Sequence, residues 1–147
     1  MVFGHTLSWY VRFIRIPLLV AGIILIALEL AGRVSRLVGI SLALATPISW
    51  LVTLAASMYV GQQIGKTEHR LFQSMVGGAL LGIGIGIVHV GISIFRKITY
   101  VRPELFGIFG GFDIFFLVGS EIIITSFLAS VGAILVGAQV EDIKQSV

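Results

Sequence analysis

Long uncharged stretches separated by short polar breaks make up most of this chain, and they outrun the periodic patterns of strands or surface helices in a water-soluble fold. The first runs from Ile16 to Gly32, with Arg12 and Arg15 before it and Arg33 and Arg36 after it. Its 17 residues rise roughly 25 Å as a helix, enough to span residues 16–32 across a bilayer when the flanking arginines snorkel. Pro17 falls in the first turn of that span, where a missing N–H costs little. Glu29 interrupts the apolar run, and no small-residue cleavage site precedes Arg36, so the segment reads as a retained helix and not a signal peptide.

The second stretch, Leu37 to Gly65, carries no charge and predicts a span over 38–62. Pro47 falls inside it and predicts a kink. Thr46, Ser49, Thr53 and Ser57 recur at helical spacing, so their hydroxyls share one face and can bond carbonyls freed by Pro47 or reach a neighbouring helix.

A polar break from Lys66 to Arg70 leads into Leu71 to Phe95, a predicted span over 71–95 that is rich in glycine. At 100° per residue, Gly78, Gly82 and Gly86 share one face, while Gly77, Gly84 and Gly91 share the opposite one. In lipid the backbone must satisfy its own hydrogen bonds and small residues let helices approach closely, so this is the expected central helix, packed between two others.

The last stretch, Leu105 to Gln139, is broken only by Asp113 and Glu121 and is too long for one upright span. Its glycine- and phenylalanine-rich start predicts an interfacial or re-entrant segment over about 104–113, followed by a span over 114–137. Gly119, Ser126, Ala133 and Gly137 offer a small-residue face on that last helix. The expected fold class is therefore all-α: one membrane domain over residues 1–147, a polytopic transmembrane bundle of four helices.

Composition agrees with this pattern. Of the 147 residues, 57% are hydrophobic and 12% charged, with a mean hydropathy of +1.08, so lipid is the expected solvent and partner. The net charge of +3 is spread between the apolar stretches, which predicts membrane-flanking charge and no nucleic-acid partner. Four spans would put Arg12, Arg15, Lys66, Arg70 and Lys144 on one side and Arg33, Arg36, Arg96, Lys97 and Arg102 on the other, a tie that leaves the orientation open. The chain has neither Cys nor Asn, which excludes disulfides, thiolate chemistry and N-glycosylation. Both residues are thermolabile, a composition in keeping with a hot-growing organism, and the predicted location is a prokaryotic cell membrane.

No motif carries chemistry. GQQIGKT ends like a phosphate-binding loop, but the pattern needs glycine where Val60 stands. GIGIGI fails the dinucleotide fingerprint at Ile87. His5, His69 and His89 are too scattered to predict a metal site, so no cofactor, metal or catalytic residue is expected.

The candidate site is polar and intramembrane. Glu29, His89, Asp113 and Glu121 lie within or at the edges of the apolar stretches, where an unpaired acid facing lipid costs on the order of 3 kcal/mol. Followed through alternating spans, all four fall in the same half of the membrane. His89 shares the face of Gly78, Gly82 and Gly86, and a His89 to Glu121 contact is the most specific pairing predicted. Glu29 can alternatively pair with Arg33 one turn later. Two functional readings follow. The leading one is a non-enzymatic membrane protein that packs through its glycine faces as a homo-oligomer or as a small subunit of a membrane complex. The alternative is a small proton- or cation-linked transporter using Glu121 and His89.

Overall fold

The computed structural model describes the backbone of residues 5–37, 45–100 and 109–137 and the side chains of 5–32, 47–95 and 115–137. These form four helices and no strand: α1 (Leu7–Leu37), α2 (Ala45–Glu68), α3 (Leu71–Tyr100) and α4 (Phe109–Ile134). Among the described residues three segments are long and apolar enough to cross a membrane: Leu7–Gly32, Leu71–Phe95 and Phe115–Ile134. The fourth helix, α2, matches them in length, but Ser49, Thr53, Ser57, Gln62 and Gln63 dilute its apolar content. It turns Thr53 and Ser57 inward, where both are buried. On its inner side α2 contacts α1, α3 and α4, while Trp50 and Leu51 stay exposed on its outer side.

The first helix starts at Leu7, nine residues before Ile16, so Arg12 and Arg15 belong to the helix and do not precede it. Pro47 is the third residue of α2, in its first turn, where its ring displaces no helical hydrogen bond. Residues 38–44, where the other arm of a kinked helix would run, lie outside the described residues. Residues 109–113 are the first turns of α4 and continuous with it, while 104–108 of the expected re-entrant segment lie outside the described residues.

Two tight backbone devices set the connections. His69, with φ of 55°, reverses the chain between α2 and α3, and its N–H donates to the Gly65 carbonyl at 2.9 Å. Gly137, with φ of 82°, closes α4 by donating to the Ile134 carbonyl at 3.0 Å, a left-handed conformation that glycine adopts without a steric penalty.

The core is thin and apolar. Tyr10, Ile14, Leu25, Val60, Ile64, Leu81 and Ile85 form it, drawn from α1, α2 and α3. Outside it, large apolar side chains such as Ile23, Phe115, Phe116, Ile123 and Phe127 are more than half exposed. In water such a surface would drive aggregation; in lipid it needs no cover.

Candidate functional site

The site begins with how α3 meets α4, the most extensive helix contact in the bundle. A Cβ built at Gly78 would meet Ala129 Cβ at 2.6 Å and Ser126 Cα at 2.9 Å; at Gly82 it would meet the Glu121 carbonyl oxygen at 2.7 Å and Ile122 Cα at 2.8 Å. At Gly86 it would meet Val118 Cα at 3.2 Å. The row of three glycines therefore brings the α4 backbone against the α3 backbone, with Glu121 at its centre.

The antiparallel register then places the two titratable groups. Gly86 faces Val118; His89 is one turn beyond Gly86 on α3, and Glu121 is one turn beyond Val118 on α4, in the opposite direction. Helical side chains lean toward their own N-terminus, so His89 and Glu121 lean toward one another and close the offset. His89 Nδ1 stands 2.8 Å from Glu121 Oε1, with the His89 side chain 24% exposed and that of Glu121 11%. The second carboxylate oxygen, Oε2, is fully buried and has no hydrogen-bond partner among the described residues. Thr125 Oγ1 donates to the Glu121 carbonyl at 2.6 Å, a helix-internal bond that leaves the carboxylate untouched.

All four helices wall the space beside this pair, a cavity of ≈ 360 Å³. Glu29 comes from α1, Ser49, Trp50 and Thr53 from α2, Ser93 from α3 and Ser120 from α4; Leu25, Leu28, Leu117 and Ile124 supply apolar wall. Glu29, His89 and Glu121 thus share one cavity, in the half of the bundle where α1 and α3 end and α2 and α4 begin. Asp113 lies in the same half, on the first turns of α4, and its side chain is outside the described residues, as is that of Arg33. Among the described residues no three His, Asp or Glu side chains are grouped as a metal site.

The six glycines of α3 have different neighbours. Gly77 faces Ile64 and Val60 of α2, Gly84 faces Leu18 of α1, and nothing lies within 4 Å of a Cβ at Gly91. Gly91→Ala is therefore expected to remove the helix penalty of glycine without a clash and to raise stability by up to about 1 kcal/mol. Gly82→Ala, with main-chain atoms in the way, is expected to lower it. Denaturation midpoints in a detergent titration check both; a Gly91→Ala midpoint below that of Gly82→Ala would contradict the packing.

Three features escape a sequence reading. Gly61 and Gly65 of α2 meet Ala129 and Ala133 of α4, and Gly132 meets Met58, making a second small-residue crossing. On α4, Gly119 and Gly137, expected in its contact face, have no neighbour within 4 Å of a built Cβ. At the opposite end of the bundle His5 Nε2 stands 3.2 Å from Glu68 Oε2, and the His5 ring stacks on Trp9 with centroids 4.1 Å apart. A pairing of residue 5 with residue 68 has no local spacing to reveal it.

Comparison with protein-family models, with curated proteins and with solved structures finds no match. What the described residues define is a class: an all-α integral membrane protein, their four helices forming a bundle in which three are long and apolar enough to cross the bilayer.

Proposed function

We propose that this chain is a small non-enzymatic transporter of a prokaryotic cell membrane, in which Glu121 and His89 exchange a proton against a cation. The observation that carries the reading is the His89 to Glu121 pair at 2.8 Å, two residues that line the same cavity, with a second carboxylate oxygen, Glu121 Oε2, buried and without a hydrogen-bond partner among the described residues. Intramembrane acids are costly, and one that is paired and faces a cavity is placed where an ion path needs it.

The exchange keeps charge constant. With His89 protonated, imidazolium and carboxylate form a neutral pair. An arriving cation takes its place beside the Glu121 carboxylate, the imidazolium proton leaves, and the neutral imidazole keeps its Nδ1–H bond to Oε1. Release of the cation reverses these steps.

An assembly through the glycine faces, as a homo-oligomer or complex subunit, has less to support it. Of the six glycines of α3, five meet atoms of the same chain and only Gly91 is left without a neighbour.

The test is reconstitution into liposomes with an imposed pH gradient. At least one of Na⁺, K⁺ and a short alkylammonium salt is expected to dissipate the gradient faster than in protein-free liposomes. Rates equal to protein-free liposomes for every cation would sink the reading.

A further inference from the structure

A second cavity adjoins the first. Between α1 and α3 a groove of ≈ 290 Å³ is walled by Ile26, Leu30, Val88, Gly91 and Phe95, and it shares Glu29 and Ile92 with the polar cavity. Ile26, Leu30 and Phe95 are each about half exposed, so the groove lies on the surface the bundle presents to lipid. The space comes from Gly91, whose missing side chain leaves nothing within 4 Å. The molecule thus has an apolar slot open to lipid that shares Glu29 and Ile92 with a polar cavity.

We propose that the ligand is an amphiphilic amine, one ammonium group on a single apolar chain, which enters from the bilayer with its chain in the α1–α3 groove and its nitrogen at Glu121. This inference rests on the transporter reading above. The ammonium pairs with the carboxylate of Glu121, which lines the polar cavity, Glu29 of both cavity walls adds a second carboxylate, and Trp50 supplies an aromatic wall suited to a cation. A bare alkali ion would use little of ≈ 360 Å³ walled partly by leucine, because such ions are held by close rings of oxygen. The groove works by continuity and not by hydrophobic gain. Lipid tails are as apolar as its walls, so the chain gains nothing by leaving them. What the groove provides is a way for the chain to stay in apolar surroundings while the nitrogen reaches the acid. The ammonium enters with one positive charge and the His89 proton leaves with one, so the exchange balances.

The experiment uses the full chain in phosphatidylcholine nanodiscs, titrated calorimetrically with octylammonium and with ethylammonium chloride, empty nanodiscs serving as blank. Gly91→Leu fills the groove from α3 and Leu30→Trp fills it from α1; Gly91→Ala is the control that leaves it open. Each blocking variant is expected to weaken octylammonium at least about ten-fold and ethylammonium less than about two-fold, while Gly91→Ala changes neither. Circular dichroism and monodisperse elution identify which blocking variants are folded, and either one suffices. If folded blocking variants weaken both amines equally or neither, the chain does not lie in the groove and the inference is overturned, while ethylammonium binding lost in Glu121→Gln keeps the transporter reading alive. If neither amine binds in a Glu121-dependent way, the inference is overturned too, and the pH-gradient assay with Na⁺ and K⁺ decides the transporter reading separately.

Discussion

Gly61→Leu is expected to leave no folded, monodisperse protein in mild detergent. Gly61 sits where α2 crosses α4, and a Cβ there would overlap the Ala129 carbonyl oxygen, with Ala129 C and Cα at 2.6 and 2.7 Å. These are main-chain atoms, so no rotamer change makes room. The crossing is held from both sides: a Cβ at Gly65 would meet Ala133 Cα at 3.0 Å, and one at Gly132 would meet Met58 Cα at 2.9 Å. Ser74 of α3 also donates to the Gly61 carbonyl at 3.3 Å, so three helices meet at this residue. Overpacking a core costs typically about 1–3 kcal/mol when side chains can adjust; with backbone as the obstacle, even Gly61→Ala is expected near the top of that range. Elution profile and thermal midpoint check this. A Gly61→Ala protein as stable as the parent would mean that α2 and α4 do not cross here.

Glu121→Gln is expected to reduce cation-dependent proton flux to the level of protein-free liposomes while leaving the bundle folded. Glutamine has the shape of glutamate, and its amide oxygen can accept the His89 Nδ1–H that now meets Oε1 at 2.8 Å. The contact between α3 and α4 rests on glycine and main chain at Gly78, Gly82 and Gly86, none of which the substitution touches. What is lost is the negative charge of the carboxylate, which the proposed exchange requires. Stability is expected to change by less than about 2 kcal/mol, the scale on which a charged hydrogen bond exceeds a neutral one. Structural and functional roles therefore separate: flux equal to the parent's would show that Glu121 acts only as a packing and hydrogen-bonding group.

The parts of this arrangement that a sequence reveals are those with local periodicity. The spacing of Gly78, Gly82 and Gly86 defines one face of α3 because a helix repeats near four residues, and His89 lies on that face for the same reason. Alternation of spans then carries Glu29, His89 and Glu121 to one half of the membrane. What cannot be read is which face meets which helix. Gly61 and Gly132 look unremarkable in sequence, and their importance comes from the register of α2 against α4, a choice made by side chains far apart in the chain. The His5 to Glu68 pair is hidden for the same reason. The groove beside Gly91 is hidden because glycine at a packed position and glycine at an open one share a spelling; Gly82 and Gly91 differ only in what stands opposite them. The polar stripe of α2 is legible, yet it also makes α2 the helix whose own composition falls short of a membrane span.

In the proposed exchange the His89 to Glu121 pair trades a proton for a cation. Proton release itself tests it most directly: purified protein in nanodiscs, in weakly buffered solution with a pH-indicator dye, receives ethylammonium chloride. About one proton is expected to be released per cation bound, with no release from Glu121→Gln or His89→Phe. Cation binding without proton release, or release undiminished in both variants, would contradict it.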